Sequence, residues 1–525
     1  MPGVPREFVL HDNVGASADA LHIVAANAVA DGFAWANGGR ASTYRRTWLD
    51  TFDWRLYRAG LTLEQVTTRT VAELTLTGRD GATLASERLQ SGVVKWPSLL
   101  TALPPGPLRE LLEPVAGVRA LLPVAKAAST VAELRALNAD AKTVARLAVD
   151  RMSVTFPARA AAPARLSLSP VRGYQSQTEK AVRALASVPG IGAGRGSALE
   201  TALGAVGRRP GELVGKASAS TLSPGMAART AVAATLVALL DALEANVPGT
   251  VRDIDTEFLH DLRIAVRWTR SALKLCGSAL PDGLAARFRP EFGWLGDLTT
   301  PTRDLDVYLL GFDGMAAELV GATADELAPF RDYLLKSRAV AYRQLLRGLR
   351  SARFKRLTSD YRTALKSVRS TRKRPTVAEL ADARIATVHR RALRAGELIT
   401  ASSPSESLHD LRKRCKELRY VVEMFGSLHD PAQRWQAVRE LKVLQDCLGE
   451  FQDAEVQRDE IRTFAARMLA DRSAPAETLL AMGEIAAGLA VRQRLARGKF
   501  DRVFSDFASP ASQARIAGLA RTSVA

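Results

Sequence analysis

His260-Asp-Leu-Arg263 returns 149 residues later as His409-Asp-Leu-Arg412, and this recurrence decides how the C-terminal half of the 525-residue chain is read. The same offset, without a gap, carries Arg270 onto Arg419, Gly277 onto Gly426, Glu291 onto Glu440, Leu295 onto Leu444, Asp297 onto Asp446, Asp304 onto Asp453 and Val307 onto Val456. Register held over that span marks a duplicated structural unit. Phe354 and Arg356 align with Phe500 and Arg502 at an offset of 146, which places a three-residue difference in an intervening loop. Beyond Ala227 the apolar residues follow a 3.6-residue period, interrupted only by short turns such as 277–283 and 402–407. The pattern predicts an all-α C-terminal domain of two pseudo-symmetric helical bundles at 225–515, with repeat 1 at about 225–370 and repeat 2 at about 375–515.

Upstream the pattern changes. Residues 1–185 mix short β-like runs, VAELTLT at Val71–Thr77 and RMSVTF at 151–156, with helical ones, and predict an α+β domain. Between them, residues 186–224 are rich in Gly, Ala, Ser and Pro, a composition that breaks periodicity and predicts a linker holding one short helix near 198–206. The three cysteines, Cys276, Cys415 and Cys447, form neither a CxxC nor an even framework, which points to a reducing cytoplasm. The first ten residues lack the pattern of a secretory leader, and no unbroken run of about 18 apolar residues is present, so no membrane association is expected.

Charge carries the functional signal. Lys and Arg number 73 against 55 Asp and Glu, for a net +18 and an isoelectric point near 10.2. Such a field concentrates anions at the surface and speeds their capture. In repeat 1, His260, Arg263, Arg267, Arg270 and Lys274 stand at steps of 0, 3, 7, 10 and 14. At about 100° per residue they share an arc of roughly 80° on one helix face. In repeat 2, His409, Arg412, Lys416 and Arg419 repeat the first four steps, joined by Lys413 and Arg414. The segment 331–394 adds 19 Lys and Arg against four acids, including Arg343 and Arg347, and Arg492 continues the basic pattern near the C-terminus. Like charges three and four apart cost a helix about 0.2–0.5 kcal/mol per pair. An anionic ligand removes that cost. A single basic run is ordinarily a solvated face, and duplication at one register is what argues for a ligand. Arginine forks match pairs of phosphate oxygens, so a stripe of them suits a linear polyanion. A histidine among these cations resists protonation until the anion arrives, or else is simply satisfied within a helix interface.

Asp304, Asp306, Asp453 and Glu455 are read as partners of nearby arginines rather than as an acid–base or metal site. No P-loop, dinucleotide fingerprint, HExxH, zinc spacing or nucleophile elbow occurs. No catalytic residue, metal ligand or cofactor is therefore expected.

His260 to Lys274 (HDLRIAVRWTRSALK), Arg303-Asp-Leu-Asp306-Val, HDLRKRCKELRY at 409–420 and LQDCLGEFQD at 444–453 resemble the CHAD family, over roughly 225–510. The resemblance implies two pseudo-symmetric bundles around a basic groove or pore that binds inorganic polyphosphate. It also implies association with polyphosphate granules in a prokaryotic cytoplasm. By that resemblance the anion contacts fall to His260, Arg263, Arg267, Arg270, His409, Arg412, Lys416 and Arg419. Lys274, Arg343, Arg347, Lys413 and Arg492 are added from the charge pattern.

Residues 1–185 resemble a CYTH domain, a partial β-barrel or triphosphate tunnel, through Arg45-Arg-Thr-Trp-Leu-Asp50-Thr51-Phe-Asp53 and the later helix and strand spanning 113–147. That family's ExExK motif is missing: Pro5-Arg-Glu7-Phe-Val9 keeps one glutamate and no lysine. Leu61-Thr-Leu63-Glu and Leu74-Thr-Leu76-Thr77 likewise lack tunnel-facing cations. Without glutamates to hold a divalent ion, efficient triphosphatase activity is not expected. Two alternatives to non-catalytic polyphosphate binding stay open, a triphosphatase or polyphosphate hydrolase using the N-terminal domain, and sequence-independent nucleic-acid binding. The second is disfavoured by the 6% aromatic content, since single-strand binders add stacking platforms. The oligomeric state is not encoded in any of these patterns.

Overall fold

The computed structural model describes residues 6–10, 34–68, 70–90, 94–188, 190–194, 196–212, 215–216, 221–369 and 375–520. The chain divides into two compact units, Met1–Val214 and Gly215–Ala525.

The first unit is built on an eleven-stranded antiparallel sheet. Its strands are β1 (Arg6–Leu10), β2 (Ala34–Asn37), β3 (Ser42–Asp50), β4 (Thr62–Thr67), β5 (Val71–Thr77), β6 (Thr83–Gln90), β7 (Leu122–Leu137), β8 (Thr143–Phe156), β9 (Ala160–Ala161), β10 (Arg165–Pro170) and β11 (Ile191–Ala193). They run in the order β11-β1-β10-β8-β7-β3-β4-β5-β6, with β2 on β7 and β9 on β8. Among the described residues the unit also holds helices α1 (Arg55–Arg58), α2 (Pro107–Ala116), α3 (Gln175–Ala186) and α4 (Ala198–Gly204). The predicted strands fall in β5 and β8. The segment read as a linker is folded in part: β11 pairs with β1, and a Ser197–Glu200 capping box starts α4. Residues 189, 195, 213–214 and 217–220 of that segment, and Pro5 of the altered ExExK stretch, lie outside the described residues.

The Asp50-Thr51-Phe-Asp53 stretch serves the fold here. Asp50 accepts the backbone N–H groups of Thr51, Leu56 and Tyr57 at 2.7, 3.0 and 2.9 Å, joining β3 to α1. Thr51 donates to Asp53 at 2.8 Å, and the buried Arg119 guanidinium lies 3.6 Å from Asp53. Burial pushes the Asp50 carboxyl up to about 6 against the pull of its backbone donors.

The second unit is helical. Repeat 1 comprises α5 (Ala228–Val251), α6 (Thr256–Leu275), α7 (Leu284–Leu310), α8 (Phe312–Ala317), α9 (Ala324–Leu349) and α10 (Ala352–Lys366). Repeat 2 comprises α11 (Val377–Glu397), α12 (Ser405–Met424), α13 (Pro431–Ala470), α14 (Ala476–Phe507) and α15 (Pro510–Leu519). Helices α5 and α6 begin 149 residues before α11 and α12, the offset found in the sequence, and α7 begins 147 before α13. Helix α5 is long and apolar enough to cross a membrane by length and composition, although charged residues interrupt its sequence. Within its most apolar window 56% is buried, in the core where Leu236, Leu239, Leu240 and Leu243 pack.

Two apolar clusters hold the repeats together. The larger draws on α5–α7 and α11–α15, and the smaller joins the far parts of α7, α9, α13 and α14 through Leu305, Phe330, Ile461 and Ile485. On α7 the first cluster reaches Leu295 and Leu298 and the second begins at Leu305. The turns between carry Thr299, Thr300, Thr302, Arg303 and Asp304, a polar layer held between apolar ones.

A close approach sets the α5–α6 corner. A Cβ on Gly249 would lie 2.2 Å from the Phe258 ring, which is 2% exposed. Alanine at an open helix position gains about 0.5–1 kcal/mol over glycine. Gly249→Ala is expected to reverse that sign and cost about 1–3 kcal/mol in chemical denaturation of the full chain, through overpacking.

Candidate polyanion-binding site

Helix α6 starts where the Asp255 side chain accepts the N–H groups of Glu257 and Phe258, at 3.0 and 3.2 Å. Its apolar face buries Leu259, Leu262, Val266 and Leu273, and α12 does the same with Leu408, Leu411, Cys415 and Leu418. The basic stripes occupy what remains of each helix surface. Arg267, Arg270, Lys274 and Lys413 are exposed, whereas His260, Arg263, His409, Arg412, Lys416 and Arg419 are half-buried.

The two stripes meet because equivalent residues of the repeats face each other. Ser271 and its counterpart Tyr420 line one small pocket where α6 crosses α12. Tyr308 donates a 3.4 Å hydrogen bond to the carbonyl of its own counterpart, Gln457. A pseudo-twofold axis therefore passes by both pairs. Arg267 and its counterpart Lys416 confront each other across the same axis, close enough for Arg267 to disfavour the charge on Lys416.

Electrostatics record that crowding. Burial, then Arg412 and Arg267, lower the Lys416 ammonium to about 8. Burial and the neighbours Arg303 and Arg267 hold His260 below its ordinary value. Arg263 is likewise lowered, by burial and by Arg267, Arg303 and Arg270, despite Asp304 nearby. Among the described residues, no carboxylate ion-pairs within 4 Å with Arg263, Arg267, Arg270, Arg303 or Lys416.

The supporting contacts differ between repeats. Arg263 donates to Thr299 and Thr300 at 3.0 and 2.8 Å, whereas its counterpart Arg412 pairs with Asp453 at 2.9 Å. His260 faces Arg303, whereas His409 bonds through Nδ1 to Gln452, the counterpart of Arg303, at 2.8 Å. Arg270 lies over Gly296, while Arg419 donates to Gln445, the counterpart of Gly296, at 3.1 Å and pairs with Glu423 at 3.2 Å.

A family model for the CHAD domain matches residues 234–462, from within α5 to well inside α13. The helical unit carries a CHAD domain. Among curated relatives, the uncharacterized protein Rv2226 of Mycobacterium tuberculosis (strain H37Rv) is 29% identical over 213 residues, covering 39% of this chain and 39% of that protein. The uncharacterized protein MT2285 of a second M. tuberculosis strain, CDC 1551, matches with the same identity and coverage. The chain thus spans about two fifths of the length of the curated relatives it matches. Of solved structures, the CHAD domain from the plant Ricinus communis is 20% identical with a TM-score of 0.42, covering 59% of this chain and 96% of that one. PptA from Streptomyces chartreusis is 19% identical with a TM-score of 0.41, covering 54% and 100%.

Within the CHAD domain, His260, Arg263, Arg267, Arg270, Arg412, Lys416 and Arg419 are thus brought around the axis by α6 and α12. Lys274 reaches across to Glu417 on α12 at 2.5 Å. Lys413 points to solvent and pairs with Asp410 at 3.1 Å. Arg343 and Arg347 stand exposed on α9, and no hydrogen bond or ion pair joins them to α6 or α12 among the described residues. Arg492 pairs with Glu318 at 2.9 Å and lines a separate cavity with Glu450, Asp453 and Lys499. Residues 370–374 of the basic 331–394 segment lie outside the described residues. Asp306 pairs with Arg338 at 2.5 Å, and Arg338 also holds Asp253. Among the described residues no group of three or more His, Cys, Asp or Glu could hold a metal ion.

Two cations escaped the stripe analysis. Arg303 belongs to α7 and meets His260 only in three dimensions, although its place one residue before Asp304 in a repeated motif was a usable signal. Arg289, also on α7, lines a cavity with Arg267, Arg270 and Lys274 and has a valine, Val438, at the equivalent place in repeat 2.

Lys416 supplies a test of the crowding. Its folded-state value lies below the ordinary one, so the folded chain holds this proton less tightly than the unfolded chain, and charging Lys416 opposes folding below about pH 8. Lys416→Met is expected to raise the stability of the unliganded protein at pH 7 by about 1–3 kcal/mol in urea denaturation. The gain should shrink toward pH 10, as the wild-type ammonium loses its proton in both states.

Proposed function

We propose that the chain binds inorganic polyphosphate, without catalysis, along the face that α6 and α12 build around the pseudo-twofold axis. The carrying observation is the confrontation of Arg267 with Lys416, two like charges placed against each other by the repeat, with Arg412 and Arg419 close by and no acid ion-paired to Arg267 or Lys416 among the described residues. A multivalent anion lying between them removes the repulsion and raises the Lys416 ammonium back toward its ordinary value. A stripe ten residues long covers about 15 Å of helix, so two such stripes favour an extended ligand over a single small ion.

Nucleic acid would answer the same charge, but the two aromatics within the stripe helices are not platforms for bases. Trp268 and Tyr420 pack on each other, ring centroids 6.0 Å apart, and Tyr420 is only 8% exposed. Polyphosphate has no bases to stack. The same reading makes the protein cytoplasmic and brings it to polyphosphate granules where these form.

In the N-terminal unit, read as a degenerate CYTH-like module, two cations of the sheet, Arg46 and Arg165, are already committed. Arg46 is held by both Glu64 and Asp150, and the single remaining glutamate of the altered motif, Glu7, pairs with Arg165 at 3.2 Å. The purified protein is expected to release no phosphate from tripolyphosphate with added divalent metal. Release abolished by Glu7→Gln would restore the triphosphatase reading.

The deciding experiment titrates the full chain with labelled long-chain polyphosphate against excess single- and double-stranded nucleic acid near physiological ionic strength, where the screening length is about 8 Å. Polyphosphate is expected to stay bound. The double variant Arg267→Glu, Lys416→Glu should lose at least about a hundredfold in affinity, as expected for two charge-assisted contacts reversed. Displacement by nucleic acid, or a folded double variant that binds as wild type, would overturn the assignment.

A further inference from the structure

The two halves of the basic face are not equal, and the inequality has a chemical meaning. Between α6 and the start of α7 in repeat 1 lies a hollow of about 640 Å³ walled by Arg267, Arg270, Lys274 and Arg289, with Ser271 and Ala286 as its small residues. Lys274 is tethered to Glu417, and no acid pairs with the other three among the described residues. At the corresponding place in repeat 2 the cations are engaged by other side chains. Tyr420 replaces Ser271, Glu423 replaces Lys274, Trp435 replaces Ala286, Val438 replaces Arg289 and Arg439 replaces Pro290. Glu423 pairs with Arg419, and Arg439 lies 5.3 Å over the ring of Trp435.

Resting on the polyphosphate reading above, we propose that the repeat 1 hollow is a chain-end subsite, which takes the terminal phosphate of a polyphosphate chain or a short inorganic oligophosphate. An internal phosphate of such a chain carries one charge. A terminal one has a second ionisation, near pH 6 in phosphate monoesters, and approaches two charges at neutral pH. The site whose cations are least engaged by neighbouring side chains therefore selects the end. Glycine at 296 leaves the Arg270 guanidinium room to lie over α7, where Gln445 and Glu423 engage Arg419 in repeat 2. The bound chain then has a direction, with its end in repeat 1 and its interior passing between Arg267 and Lys416.

Calorimetric titration of the full chain in metal-free buffer tests this with three probes: tripolyphosphate, long-chain polyphosphate with free ends, and the same polymer with its ends blocked as esters. Wild type is expected to bind tripolyphosphate and to prefer free ends. Arg289→Ala, a change at an exposed position, should weaken tripolyphosphate about tenfold or more and abolish the preference. Arg439→Ala, the removal of one cation near the repeat 2 counterpart, should leave tripolyphosphate affinity unchanged. Equal effects of the two variants, or indifference of the wild type to blocked ends, would overturn the subsite while long-chain binding still supported the groove. Loss of long-chain binding to nucleic acid would sink the groove itself. ATP shares the terminal phosphate, and binding as tight as that of tripolyphosphate would reassign the hollow to a nucleotide.

Discussion

Everything in the helical unit is arranged around one unfavourable contact, the approach of Arg267 to Lys416 across the pseudo-twofold axis. A duplicated chain that dimerises on itself must bring some residues against their own counterparts, and here the counterparts are both cations. Burial first, then Arg412 and Arg267, lower Lys416 from its ordinary value to about 8, so positive charge is opposed where the repeats meet. The offset comes from the two apolar clusters on either side of the polar layer, so the hydrophobic ends of the bundles hold the charged middle in place.

This arrangement explains which parts of the molecule were legible in the sequence. The repeat was visible because helical register and side-chain chemistry coincide: His260 to Arg270 and His409 to Arg419 each need one face for packing and one for charge. A fixed offset preserves both, and α5 and α6 accordingly start one offset before their partners. The faces were legible, but the crossing point was not. Nothing in a linear pattern says that Ser271 would meet Tyr420, so Arg267 and Lys416 could be placed on stripes but not opposite each other.

The charge pattern alone also overreached the geometry that sequence can specify. Arg343, Arg347 and Arg492 share the helical spacing of the stripes, yet spacing says only that residues share a face of their own helix. Arg492 finds Glu318, distant in sequence, and Lys413 finds Asp410 one turn away. Conversely, Arg289 and Arg303 belong to no stripe and reach the site because α7 packs on α6. In the N-terminal unit the Asp50–Asp53 stretch was recognisable by resemblance, but its burial against Arg119 and its backbone bonds to α1 show a part of the motif whose job is to shape the chain. The glycine- and serine-rich segment after α3 was misleading in the same way, since a strand as short as β11 needs only a partner edge, not a periodic pattern.

Duplication begins with two identical halves, and the differences between them are therefore informative in a way that differences from an unrelated protein are not. Where the repeats agree, at Arg263 and Arg412, Arg267 and Lys416, Arg270 and Arg419, the common requirement is positive charge near the axis. Where they differ, charge moves both ways: Arg303 becomes Gln452, Lys274 becomes Glu423 and Arg289 becomes Val438, while Ile264 becomes Lys413, Ala285 becomes Arg434 and Pro290 becomes Arg439. The two sides differ in how their cations are held. In repeat 2 Glu423 pairs with Arg419 and Arg439 lies over Trp435, whereas Arg270 and Arg289 have no acid partner in repeat 1 among the described residues. A ligand that presents different charge at its end and along its length suits such a face, because a symmetric groove would hold that chain equally well in either direction.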